Sequence, residues 1–412
     1  MSVDPVQYME ALAASLGADG STTAALNEVK QHYAKRRWHE FSQGLLDLVR
    51  VSASVRATLF DFHQHVIGPI RNDLAGAVYV QLLYLACVGG DPALSAGTDP
   101  DAPAGLSPAA KSIELLDSAV AGLLGGGQPY VQQFVEAVRC VKALLLMTHG
   151  PSLDAKRLLD NTEDFLATVP VQDVQVVLQA LFARASARHC ELMNDHGAFY
   201  DAVFAFATYG KAAGVPILDG EMTTVAYKAA MAALLAPRIH NFGRLLTFAP
   251  FADALEASTS EKWVYHLCKL CNSGDVDGYT KFVADNAKLI GSIPDLHAAT
   301  QSTLPKKVRL MALLHLCFHT SAEQRTFPLS QIGQRCNVAP DEVEPLLLQA
   351  FALRLIEGKI DGLKGEVEIT WVQARVLSVE EIAALADRLA AWRKVVADTV
   401  KTVEEAAKDI PS

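Results

Sequence analysis

The chain has 412 residues, half of them hydrophobic, with 46 acidic against 36 basic side chains and a formal net charge of −10. That length exceeds one simple core and implies a large and a small unit, and a composition led by alanine and leucine favours helix packed on helix over sheet. The negative field repels phosphate backbones, which excludes nucleic acid as the default partner.

The first 29 residues hold no Lys or Arg, so the basic stretch that opens a secretory signal is missing there. The longest apolar run, Gly76 to Gly90, carries Gln81 and falls short of the ~18 residues of a membrane span. Seven cysteines are scattered through apolar segments without a framework spacing, as buried free thiols of a reducing compartment are. An intracellular chain with no membrane contact is expected.

From Pro5 to about His297 one helical segment follows another. Helices are expected over Val6 to Leu16, Thr22 to Arg36, Trp38 to Val51, Leu74 to Val88, Pro108 to Leu124, Pro129 to Thr148, Ser152 to Ala167, Val171 to Asn194 and Gly197 to Tyr209. Short links imply antiparallel pairs, and His196-Gly197, Gly210 to Leu218 and Gly274-Asp275 read as turns between them. No fixed period is visible, so the class is mainly α, an irregular α-helical solenoid. The stretch Gly89 to Pro108, rich in Gly, Pro and Asp, reads as a flexible insertion in that array.

A second unit begins near Ser302 with a helix from Lys306 to Thr320. Thr326 to Pro328 makes a short β start, and Leu329, Ile332 and Cys336 fall at helical spacing. Asn337 to Pro340 breaks that helix, and Pro340 opens a second one bearing Val343, Leu346, Leu347, Ala350, Phe351 and Leu353. Leu355 to Ile360 and Glu366 to Trp371 then alternate apolar with polar around Asp361 to Gly365, as a hairpin does. Helix, turn, helix and β-wing make a winged helix. The expected divisions are a helical array over 1–301 with its insertion at 89–108, a winged-helix module over 302–377 and a C-terminal amphipathic helix in 378–412.

That last helix starts at Ser378, a capping residue with Glu381 three positions on, and runs to about Lys408. Written as heptads it places Ile382, Leu389, Val396 and Val403 at one seam position and Leu385, Trp392, Thr399 and Ala406 at the other. Its apolar stripe needs a surface to lie against, and Ile382, Leu385, Leu389, Trp392, Val396 and Val403 are the expected partner-binding residues.

Catalytic templates fail one by one. His315 and His319 stand at zinc-sharing spacing, but Leu316 replaces the Glu of a metalloprotease. Cys268 and Cys271 form a lone CxxC behind His266, with no second pair and no preceding strand. His63 and His65 copy the start of a metallo-isopeptidase motif whose Ser and Asp positions hold Asp73 and Gly76. Gly125 to Gly127 lacks the Lys-Ser/Thr of a phosphate loop. No catalytic, cofactor-binding or metal residues and no cofactor are assigned, and a chain that is not an enzyme is expected. A winged-helix DNA regulator is the minority alternative: the would-be recognition helix opens with Asp341, Glu342 and Glu344 and has no cation before Arg354.

A helical array running into a winged helix and a lone helix is similar to PCI-domain proteins, the module shared by the proteasome lid, the signalosome and translation initiation factor 3. Asn241 to Leu246, Asn272 to Val276 and above all Ile369 to Leu377 resemble the ninth-non-ATPase-subunit family of the 26S proteasome lid. The resemblance implies a non-catalytic scaffold of the regulatory-particle lid in ubiquitin-dependent protein degradation, cytoplasmic and nuclear. It implies other lid subunits as partners, through side-by-side winged helices and a bundle of C-terminal helices, with a ubiquitin-receptor subunit near the helical array. A PCI subunit of the signalosome or of translation initiation factor 3 is the alternative that the shared module leaves open.

Overall fold

The computed structural model describes residues 4–15, 20–88, 108–125, 130–148, 150–215, 217, 219–320, 324–373 and 379–407. The stretch expected as an insertion lies outside them except for Pro108, as do Ser378 and most of the triple glycine. The chain divides into two compact units, Met1–Ala232 and Ala233–Ser412.

The first unit stacks α1 (Pro5–Ser15), α2 (Gly20–Ala34), α3 (Trp38–Val51), α4 (Ala53–Phe62), α5 (Gly76–Val88), α6 (Pro108–Gly125), α7 (Val131–Leu146), α8 (Leu153–Thr168), α9 (Val176–Leu192), α10 (His196–Ala212) and most of α11 (Asp219–Leu235). Its core is α7, buried almost all round and packed by α5, α6, α8 and α9. The carboxylate of Glu136 is buried there and accepts from Gln132 Nε2 at 3.1 Å, Thr162 Oγ1 at 3.2 Å and Arg139. Three donors satisfy a charge that would otherwise be costly to bury.

Three local expectations change. The helices expected from the sequence leave 52–73 without an element, and there Ser52 leaves α3 and accepts from Val55 N at 3.4 Å to start α4. α4 then continues through a π-helical turn, His63–Ile67, and a 3-10 turn, Gly68–Ile70. The single helix expected from Val171 to Asn194 is split because Gln133 reaches across from α7: its Oε1 accepts from Gln175 N at 2.7 Å and its Nε2 donates to Asp173 O at 3.1 Å. These bonds hold Val174 and Gln175 extended between a 3-10 turn and α9. His196 and Gly197 are not a turn. Asp195 Oδ1 accepts from Ala198 N at 3.1 Å and caps α10, making them its first residues.

The second unit holds α12 (Gly243–Thr247), α13 (Ala249–Ala257), α14 (Lys262–Ser273), α15 (Val276–Asp285), α16 (Ala287–Gly291), α17 (Pro294–Ser302), α18 (Leu304–His319), β1 (Thr326–Pro328), α19 (Leu329–Cys336), α20 (Pro340–Ala352), β2 (Ile356–Asp361), β3 (Glu366–Val372) and α21 (Val379–Ala407). The antiparallel sheet has the order β1-β3-β2, with Phe327 and Ile360 both opposite Val367. A mainly α array followed by a winged helix is thus the observed fold. The winged-helix core joins Phe327, Ile332, Leu347, Ile356, Val367 and Ile369 to Leu310, Leu313, Leu314 and Cys317 of α18. The same α18 also packs against α14 and α17. One helix therefore belongs to both cores, and the compact unit reaches back to Ala233, upstream of Ser302.

Two of the motifs behind the resemblance are joints in this unit. Asn272 Oδ1 accepts from Phe242 N at 3.2 Å and ties the end of α14 to the entry of α12, where Asn241 Oδ1 accepts from Gly243 N at 2.8 Å. Gly274 ends α14 in the left-handed region (φ 67°), and Asp275 Oδ1 caps α15 by accepting from Gly278 N at 2.9 Å. A Cβ on Gly274 would run into the Ala312 backbone of α18, so only glycine fits both the conformation and the space.

Lys307, on the first turns of α18, is 2% exposed. Its Nζ donates to the carbonyls of Ala233 at 2.9 Å, Leu234 at 2.8 Å and Ala236 at 2.6 Å, and lies 5.8 Å from the Phe242 ring centre. Helix ends leave such carbonyls without intrahelical donors, and a cation there also suits the helix dipole. Burial lowers the ammonium pKa to about 8, against the opposing influence of the Cys271 and Cys268 thiols. Lys307→Met, which keeps the aliphatic stem, should lower stability by about 3 kcal/mol, read as a lower midpoint in urea unfolding. Gly274→Ala should fail to accumulate as soluble protein.

Candidate assembly surfaces

α21 stands apart from the rest of the second unit. Every side chain described between Ile382 and Glu405 is exposed. Ile382, Leu385, Leu389, Trp392, Val396 and Val403 lie on one face, with Trp392 66% exposed. Val400 falls on the same face and Val395 beside it, both exposed; the heptad reading passed over them because it kept only two positions of seven. The exposed surface thus joins a 29-residue helix to an apolar stripe along its described length. Water-exposed stripes of this size mark contact surfaces.

The winged helix also carries exposed apolar side chains, Leu348 on α20, Leu363 at the wing tip and Trp371 on β3. Asp341 and Glu342 occupy the first turn of α20, and Glu342 lies 3.9 Å from Arg309. Carboxylates at the end that would enter a groove repel phosphate. Duplex DNA at physiological salt should therefore give no salt-sensitive complex in a gel shift.

Groups singled out for possible chemistry have structural surroundings. The His315 and His319 rings lie with centres 4.2 Å apart and planes tilted by 46°, and among the described residues no group of three or more His, Cys, Asp or Glu is placed to hold a metal. Cys268 and Cys271 are buried on one face of α14, and burial pushes the Cys271 thiol up to about 12. A thiol held protonated is a poor nucleophile. Among the described helices none is long and apolar enough to cross a membrane.

Residues 25–268 match the family described as PSD13 N-terminal repeats, well over half of the chain. The chain belongs to that family. Residues 283–371 match the PCI domain, which spans α18 and the winged helix. The 26S proteasome non-ATPase regulatory subunit 13 homolog A of Arabidopsis thaliana is 28% identical over 300 residues, 73% of this chain and 76% of that protein. The 26S proteasome non-ATPase regulatory subunit 13 of Dictyostelium discoideum is 23% identical over 410 residues, 98% of each chain. Eukaryotic translation initiation factor 3 subunit M of Aspergillus clavatus is 28% identical over 177 residues, 42% of this chain and 36% of that one. The PSD13 likeness runs from the repeats to the C-terminal helix, whereas the likeness to the initiation-factor subunit stops at less than half of either chain.

His63, in the π-helical turn of this family member, is 3% exposed, and neither ring nitrogen has a hydrogen-bond partner among the described residues. Burial, reinforced by the Arg71 charge, lowers its pKa to about 4. The unfolded chain takes up a proton near the usual pKa of 6.5 while the native chain does not, so stability falls as pH drops from 6.5 toward 4. The loss reaches about 3 kcal/mol at pH 4. His63→Phe should flatten that part of the pH profile of thermal unfolding.

Proposed function

We propose that this chain is a non-catalytic scaffold subunit of the lid of the 26S proteasome regulatory particle, serving ubiquitin-dependent protein degradation. The observation that carries the reading is the end-to-end likeness to a 26S proteasome regulatory subunit, which extends over 98% of both chains. The fold supports it: a repeat array, a PCI winged helix and an exposed C-terminal helix supply surfaces for other subunits. The chain is not an enzyme. It works in the cytoplasm and nucleus, and its partners are the other lid subunits.

The finer assignment is physical. The stripe of Ile382, Leu385, Leu389, Trp392, Val396 and Val403 packs into a bundle with the C-terminal helices of neighbouring PCI subunits, and the winged helix lies beside another of its kind. A ubiquitin-receptor subunit sits near the helical array. Burial of each aliphatic side chain contributes roughly 1.5 to 3 kcal/mol, so several in one stripe outweigh the cost of ordering the interface.

Replacing Leu389 and Trp392 together by Asp should abolish co-purification of tagged chain with proteasomal subunits. The melting temperature of the free chain should not change, because Leu389, Trp392 and the other described side chains of α21 between Ile382 and Glu405 are exposed. A mutant that still assembles, or one that melts earlier, defeats the bundle assignment. Recovery of translation factors in place of proteasomal ATPases with the unaltered chain would defeat the lid reading itself.

A further inference from the structure

A groove of about 750 Å³ runs between the end of α4, with its π-helical and 3-10 turns, and one face of α6. His63 and Tyr79 form its floor, with ring centres 5.7 Å apart. Arg71 enters from the 3-10 side and Lys111 from α6. The Arg71 guanidinium lies flat on α6 at Gly122, where a Cβ would come within 2.6 Å of Cζ. The missing side chain thus makes room for the charge.

Arg71 is half-buried, and its side chain forms no hydrogen bond or ion pair with any described residue; Lys111 likewise has none. Guanidinium groups confined among rings and helix backbone are ordinarily matched to a carboxylate. The other charged neighbours in the groove, Asp61 and Glu114, are exposed and likewise make no ion pair with a described residue. They offset the two cations in the sum of charges, so the groove suits one small anion seated at Arg71 and not an extended polyanion.

We propose that this groove binds a small anion, a carboxylate or phosphate group held by Arg71 in a forked hydrogen bond and by Lys111 as a point charge. Ser118 and Gln64, which also line the groove, supply neutral hydrogen bonds around it. The groove is built from residues of the first unit alone, whereas both assembly surfaces are built from residues of the second.

The full chain is titrated with inorganic phosphate and, separately, with N-acetylglycine, by calorimetry and by the ¹⁵N resonance of the Arg71 side chain. One-to-one saturable binding of at least one probe is expected, with the Arg71 resonance shifting along the same isotherm. Arg71→Gln should weaken it roughly tenfold or more, Lys111→Gln less, and Asp61→Asn should tighten it. Saturation by phosphate assigns the phosphate class, and saturation by N-acetylglycine alone assigns the carboxylate. No saturation by either, or affinity unchanged in Arg71→Gln, overturns the site. Should Arg71→Gln not fold, the exposed Lys111→Gln and the Arg71 resonance of the unaltered chain decide the matter.

Discussion

The second unit is organised around a buried ammonium. Lys307 gathers three carbonyls at the end of α11, and that fixes the start of α18, the helix on which two cores depend. One side of α18 packs against α14 and α17, and the other supplies Leu310, Leu313 and Leu314 to the winged helix. The Gly274 joint presses on the same helix at Ala312. Positional freedom in α18 would therefore reach the winged helix directly, and the charge is held where it limits that freedom.

This arrangement explains why the winged helix is not an appended module. A separate domain would carry its own helix opposite the sheet and a linker that few contacts cross. Here α18 is at once the last helix of the array in this unit and the first of the winged helix. Forces applied to the winged-helix surface by a neighbour are thus transmitted into α14 to α17 through packed side chains, without a hinge between.

Much of the fold could be read from the sequence because its signals are local. Pro340 and the Asp361 to Gly365 turn bound elements whose apolar periods then follow, and the seam of α21 is visible because its heptad spacing is a local pattern. Misreadings occur where distant groups decide. The split before α9 depends on Gln133, some 40 residues away, and no local pattern announces it. The π-helical turn after Phe62 adds a residue to one turn, so Val66 and Ile67 fall out of the phase that a 3.6-residue search follows. In the sequence Lys307 is one of three cations near a helix start, with Lys306 and Arg309, and burial does not show in residue identity. Arg71 and Lys111 are separated by 40 positions and joined only by the packing of α6, so the groove had no signature in the sequence.

The solitary C-terminal helix also has a consequence for the supply of the protein. A chain released without neighbours presents an adhesive strip, and at high concentration such strips pair with one another or with other apolar surfaces. Synthesis in excess of its assembly partners thus yields a species prone to homotypic association and open to capture by quality-control factors. In the bundle proposed above, the chains that cover α21 would also set how many copies of this one remain soluble, and the helix would act as a tally of unassembled copies.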